Sequence, residues 1–123
     1  VIFKDKWVNP VYVPYILSKS QLNLLNYFPN PIFKYGGSQS KSFQYMASGK
    51  PICCNLEMGY DPIIKYKLGI SQEFNTDKEY AEAMKFFYDL DRSIYLEMCE
   101  NARIAAKEYD YPTLVNKLIN ILN

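Results

Sequence analysis

The run YGGSQSKSFQYMASGKP, Tyr35 to Pro51, leaves the chain few choices of local structure. Two consecutive glycines admit backbone conformations closed to other residues, and they let N–H groups approach a ligand with no Cβ in the way. Ser38 and Ser40 are both suited to cap a helix N-terminus. The following residues predict a helix over Ser40–Ser48, with Gly49 just past its end, where a left-handed residue closes the last turn. Pro51 does not continue that helix, and Pro51–Leu56 (PICCNL) reads as a buried strand. The helix aims its positive dipole end and its unpaired N–H donors back at the glycine loop, which is an anion-binding arrangement.

The flanking segments continue the alternation. Val1-Ile2-Phe3 opens inside a strand-like run with no cap or leader before it, as a piece of a longer protein would. Trp7 to Pro10 reads as loop, because Pro10 disfavours helix at Asn9. Val11–Ser20 predicts a short helix with Pro14 in its first turn, Gln21–Tyr27 a mostly buried strand, and Pro29 to Gln39 a loop. Glu57–Asp61 is a second loop, Pro62 starts a short helix that Gly69 ends, and Ile70–Phe74 is a third strand. From residue 77 helices take over. Thr76 or Asp77 caps one through Leu90, with Tyr80, Ala83, Met84 and Phe87 on one face. Asp91 caps the next, through Tyr109, with Ile94, Met98, Ala102 and Ala105 at helical spacing, and Pro112 opens a last helix carrying Leu114, Leu118, Ile121 and Leu122. The expected fold is α/β, with a parallel sheet of about 3–4 strands and helices on both faces. Residues 1–76 form that part and residues 77–123 a helical tail, within one domain.

Composition excludes several functions. Lys and Arg total 14 against 13 Asp and Glu, too balanced for a protein that grips nucleic acid by bulk charge. Histidine is absent from the sequence, which removes Ser-His-Asp and Cys-His catalysis and most zinc sites. No apolar run approaches the roughly 18 residues of a membrane span. The 3 cysteines make no disulfide framework: Cys53 and Cys54 are adjacent in a strand and point to opposite faces, while Cys99 sits in a helix. Reduced thiols in the cytosol are expected. The aromatic residues show no spacing that singles out a platform and read as core and half-buried surface.

The order of these pieces resembles the C-terminal domain of retaining GT-B glycosyltransferases of family 4. The likeness is carried by Val1-Ile2-Phe3, by SKSFQYMASGKPICC from Ser40 to Cys54, by Lys67-Leu68-Gly69-Ile70, and by Met98-Cys99-Glu100-Asn101-Ala102-Arg103. It covers nearly the whole chain, and its Tyr-Met-Ala-x-Gly-Lys-Pro core is its most specific part. The pattern is most similar to bacterial enzymes of capsule and O-antigen assembly. The resemblance implies a partial Rossmann-like sheet that receives a nucleoside diphosphate sugar at the carboxyl ends of its strands. It implies transfer of the sugar to an acceptor hydroxyl with retention, with no metal or other cofactor and no Asp-x-Asp site. An acceptor glycan or lipid-linked saccharide would be held by an N-terminal domain preceding Val1. The Arg and Lys that grip the diphosphate would also precede it, so this chain alone is expected to be inactive. The same likeness implies a cytoplasmic protein, peripheral on the inner face of the plasma membrane at full length.

The implied donor and phosphate contacts are Gly36, Gly37, Ser38, Ser40 and Lys41, with Lys41 either a phosphate contact or a solvated lysine. The family's Glu-x7-Glu signature falls on Gly36 and Gln44, neither of them acidic. Gln44 is then the implied ribose contact through its amide oxygen, without a charge-assisted bond. Backbone N–H groups of Gly36, Gly37 and Ser38 would replace the first glutamate. Val8 and Asn9 are implied to lie beside the nucleobase, and Trp7 to touch the base or simply to pack. No catalytic residue is assigned; Asp61, Asp77 and Asp91 read as turn or cap residues. Absent upstream strands would leave an inner strand edge open, which is expected to give a disordered start or a strand-exchanged homodimer. Two other readings are a non-catalytic α/β interaction module, favoured by the departures at Gly36 and Gln44, and a sugar-nucleotide epimerase, which relies on acidic and His residues missing here.

Overall fold

The computed structural model describes residues 7–37 and 40–122. Three short strands, β1 (Asn23–Leu25), β2 (Ile52–Cys54) and β3 (Gly69–Ser71), form a parallel sheet in the order β1-β2-β3. Parallel neighbours need crossovers rather than hairpins. Helix α2 (Ser40–Ala47) links β1 to β2, and α3 (Pro62–Lys65) links β2 to β3. Helix α1 (Val13–Lys19) precedes β1, while α4 (Asp77–Asp89), α5 (Arg92–Glu108) and α6 (Tyr111–Leu122) follow β3. The class is α/β as expected, with a small open parallel sheet and a helical C-terminus, consistent with a partial Rossmann-like fold. Among the described residues β1 pairs with β2 alone, so its outer edge has no strand partner. The expected strand at Val1-Ile2-Phe3 lies outside the described residues.

Alternation along the strands decides what each side chain meets. Leu25, Ile52 and Cys54 share a core with Met46 of α2 and with Ala102 and Ala105 of α5. Both alanines are 0% exposed, and their small size lets α5 settle closely on α2. Helix α5 of the tail is therefore packed back onto the α/β part. Asn23, on the same face, is held at both ends: its amide nitrogen donates to the Ser48 hydroxyl at 3.0 Å, and its oxygen accepts from Ser20 at 2.9 Å. Cys53 points to the other face and is equally buried, with Tyr80 of α4 nearby.

Burial pushes the Cys53 thiol up to about 11 and the Tyr80 hydroxyl up to about 12. A group whose pKa rises on folding adds stability below its ordinary value and loses it as pH climbs through the raised one. For Cys53 that window runs from the ordinary 9.0 to about 11. A thermal-melt series between about pH 8 and about pH 12 should therefore show a falling midpoint, with a shallower fall in Cys53→Ala. A midpoint flat across the window would contradict the burial of both groups.

Several boundaries differ from expectation. Each strand has 3 residues, shorter than Gln21–Tyr27, Pro51–Leu56 and Ile70–Phe74 suggest. Beyond β1 the Asn55 side chain takes over the backbone of Tyr27, accepting its N–H at 2.8 Å and donating to its carbonyl at 3.1 Å. That side-chain clamp replaces the ladder. The helix at Val11–Ser20 opens as a 3₁₀ turn at Pro10–Tyr12, and the loop after Pro29 contains another at Pro31–Tyr35. Helix α3 ends at Lys65, and Gly69 instead opens β3. Lys67 takes the left-handed position at φ 56°, with Leu68 N–H donating to the Ile63 carbonyl at 2.8 Å and Lys67 N–H to Ile64 at 3.2 Å. This is the Schellman closure, built on a lysine. Ile94 is exposed, and Cys99 joins Ala102 and Ala105 on the buried face of α5. Leu114, Leu118, Ile121 and Leu122 of α6 are exposed, as is Trp7 at 80%, so Trp7 does not serve as a packing residue. Among the described residues no helix is long and apolar enough to cross a membrane.

Candidate functional site

The carboxyl ends of the strands carry the loops that the sequence singles out. After β1, Tyr27 and Phe33 bring their rings to 5.6 Å and anchor the 3₁₀ turn that delivers Gly36. Gly36 N–H donates to the Phe33 carbonyl at 2.9 Å, and its φ of 102° is closed to ordinary side chains. After β2, Gly59 N–H donates to the same carbonyl at 3.0 Å. A Cβ on Gly36 would meet the Gly59 carbonyl oxygen at 3.0 Å, and one on Gly37 the Met58 sulfur at 3.1 Å. The glycine loop and the segment Glu57–Tyr60 therefore abut, backbone against backbone.

Asp61 follows that segment and fixes it to both neighbours. One carboxylate oxygen accepts the Ile63 N–H at 2.8 Å, capping α3 as expected, and the other accepts from the Ser71 hydroxyl at the end of β3. The Ser71 hydroxyl also lies 2.7 Å from the Leu56 carbonyl oxygen. Beside this cluster opens a cleft of about 780 Å³, reached by Glu57, Tyr60, Lys65 and, just past α5, Tyr109. The sequence offers two readings of Glu57–Tyr60, a polar surface loop or a segment that reaches the mouth of the cleft after the strand, and it does not point to Tyr109. Only the Asp-Pro pair at Asp61-Pro62, a helix-start signal, hinted at an ordered loop here.

The other expected site residues are distributed differently. Helix α2 begins at Ser40, which is thus its first residue rather than a flanking cap, and Ser38 lies outside the described residues. Lys41 is exposed in the first turn. Gln44 lines a groove of about 320 Å³ shared with Pro10, Val13, Pro14 and Leu17, which neither glycine lines. Val8 and Asn9 directly precede that groove and are exposed, with the Asn9 side-chain oxygen accepting the Val11 N–H at 3.1 Å. The structure thus gathers Gly36 and Gly37 with Glu57–Tyr60, and groups Gln44 with the segment after Val8 and Asn9. Ser40 and Lys41 begin the helix whose next turn bears Gln44.

Asp89-Leu90-Asp91 does have Asp-x-Asp spacing, against the expectation that the chain has none. Both carboxylates are engaged elsewhere. Hydrogen bonds from the Ser93 hydroxyl and backbone N–H hold Asp91 below the usual carboxylate range, and Asp89 lies 3.8 Å from Lys85. Among the described residues no group of three His, Cys, Asp or Glu side chains is placed to hold a metal ion. No protein-family model matches this chain, and neither a curated protein nor a solved structure matches it.

Proposed function

We propose that this chain is the donor-binding part of a glycosyltransferase that moves a sugar from a nucleoside diphosphate sugar to an acceptor hydroxyl with retention, in the assembly of a bacterial surface polysaccharide. The supporting observation is the position of Gly36–Gly37. They follow β1 of an all-parallel sheet and lead into α2, at the sheet edge where open α/β folds receive ligands. The chemistry needs a diphosphate leaving group whose growing charge meets donors already in place. The Gly36 N–H already donates to the Phe33 carbonyl, against the role expected for it, so the first turn of α2 is what suits that task, and Lys41 adds a cation. Gln44 would meet the ribose through a neutral amide, and Val8 and Asn9, which precede the groove that Gln44 lines, would flank the base. The acceptor, a glycan or lipid-linked saccharide, would be held by a separate domain.

Calorimetric titration of the full-length protein with UDP, GDP and ADP tests this reading. One of them is expected to bind, and Gln44→Glu to tighten it by about tenfold through a charge-assisted bond to the ribose hydroxyls. If none of the three binds, the transferase reading fails. A non-catalytic interaction module is the second reading, and the exposed Leu114, Leu118, Ile121 and Leu122 of α6 favour it.

A further inference from the structure

Another cleft, of about 580 Å³, opens at the amino ends of the strands. Ser20 and Gln21 enter it just before β1, Lys50 just before β2, and the first turns of α5 complete it. The donor-binding proposal places nothing there, because its loops follow the carboxyl ends.

The charge of this cleft is one-sided. Lys19, Lys50, Arg92 and Arg103 all line it, and among the described residues no Asp or Glu does. That gathers 4 of the 14 Lys and Arg of a chain whose net charge is only +1. The adjoining carboxylates are committed elsewhere. Asp91 accepts from the Ser93 N–H and hydroxyl within its own cap, and Glu100 takes one arm of Arg103 at 3.2 Å. Among the described residues Lys19, Lys50 and Arg92 form no ion pair.

Local structure accounts for part of this. Lys19 ends α1 and Lys50 follows Gly49 past the end of α2, so each meets the negative end of a helix dipole. Arg92 is placed the opposite way, in the first turn of α5, where the dipole opposes a cation. Its guanidinium gains only the Tyr95 ring, 5.9 Å from the centroid. Arg103 is held in position by a missing side chain. A Cβ on Gly49 would lie 2.7 Å from its Nε and 3.0 Å from its Cγ and Cζ, so the arginine lies along the glycine. Lys50 is half-buried, and Phe87 and Cys99 give the cleft a buried apolar floor. One sign of charge above such a floor concentrates counter-ions.

Two arginines narrow the class of ligand. A guanidinium fork matches two oxygens of a phosphate or carboxylate at once. A lone carboxylate brings one charge to four cations, whereas a diphosphate or clustered phosphates meet several of them. We propose that this cleft binds a phosphate-bearing anion of at least two charges, with Arg92 and Arg103 as forks and Lys19 and Lys50 adding charge. Such groups come from a soluble diphosphate or from the headgroups of an anionic bilayer. The proposal needs neither the glycine loop nor Gln44.

The test is an NMR titration of the ¹⁵N-labelled full-length protein with inorganic pyrophosphate. Beside it runs co-sedimentation with phosphatidylcholine vesicles that contain or lack phosphatidic acid. A soluble source is expected to shift the amides of Gln21, Lys50, Arg92 and Arg103. A lipid source instead gives sedimentation only with the vesicles that contain phosphatidic acid. In either arm the double variant Lys50→Gln, Arg92→Gln should weaken binding by at least about tenfold. Arg103→Lys, which keeps the charge but loses the fork, should weaken it as well. Lys107→Gln, on α5 but outside the cleft, controls for bulk charge and should leave it unchanged. The proposal is overturned if neither probe binds, if pyrophosphate shifts only the glycine loop and α2, or if the double variant binds as the parent does. Equal weakening by Lys107→Gln overturns it too. UDP shifts at Ser40 to Gln44 are a separate readout, so either proposal can fail while the other stands.

Discussion

Gly69→Ala is expected to abolish cooperative folding. A Cβ at this position would lie 2.0 Å from the Ile52 carbonyl oxygen, 2.9 Å from its carbon and 3.0 Å from its nitrogen. These are backbone atoms of the central strand, and no rotamer change moves them. Ile52 is also fully buried, with its N–H donating to the Leu68 carbonyl at 3.0 Å. The methyl group must either push β3 off its register with β2 or prise the two strands apart. Overpacking by side chains alone costs about 1–3 kcal/mol. A clash with backbone adds lost ladder bonds, each worth about 1 kcal/mol, so the loss reaches about 4 kcal/mol or more. That is comparable with the whole stability of a small domain, about 5–15 kcal/mol. Urea denaturation followed by circular dichroism should show no cooperative transition, or a midpoint below half that of the parent. A parent-like midpoint would mean that the Ile52–Gly69 pairing is wrong.

The next largest effect is expected at Asp61. Asp61→Ala removes the cap of α3, whose N-terminus has little else to hold it, at a cost of about 1–2 kcal/mol. That cap is the hydrogen bond from the Ile63 N–H, so its loss leaves a donor unpaired inside a residue that is fully buried. An unsatisfied buried donor costs about 1–3 kcal/mol. Ser71 suffers less, because its hydroxyl still has the Leu56 carbonyl. The loss should be about 1–3 kcal/mol, while Asp61→Asn, which keeps an acceptor at the cap, should lose about 1 kcal/mol or less. Equilibrium denaturation of both variants checks this. An alanine variant within about 0.5 kcal/mol of the parent would behave as a surface substitution and refute the role.

What the sequence made legible was local. Thr76 and Asp91 announce α4 and α5 because each side chain performs its capping within a few residues, Thr76 accepting from Glu79 N–H at 3.2 Å and Asp91 from Ser93 N–H at 2.8 Å. Glu79 completes the first by accepting from Asn75 N–H at 2.9 Å. The glycine loop ahead of α2 was legible for the same reason. Gly69 was not. A glycine after a helix suggests a terminus, but here Lys67 bears the left-handed turn and Gly69 is needed for its approach to Ile52, distant in sequence. The strand ends were hidden likewise, since Asn55 reaches across to Tyr27. The division of the expected site follows the placing of α1 beside α2, which leaves a groove that Gln44 lines with Pro10 and Pro14. No spacing in the sequence encodes that choice.

The all-parallel topology also governs how such a chain comes together. Leu24 meets Cys53, and Cys53 meets Ile70, only once the intervening crossover has closed. No hairpin is available as a seed, and closure entropy must be met before strand pairing returns any gain. The central strand is therefore ordered late, as both crossovers condense upon it. Gly36–Gly37 lies in the first of those crossovers and Glu57–Asp61 in the second. The loop-bearing end of the sheet and the core then form in one event, and those loops inherit the cooperativity of the whole.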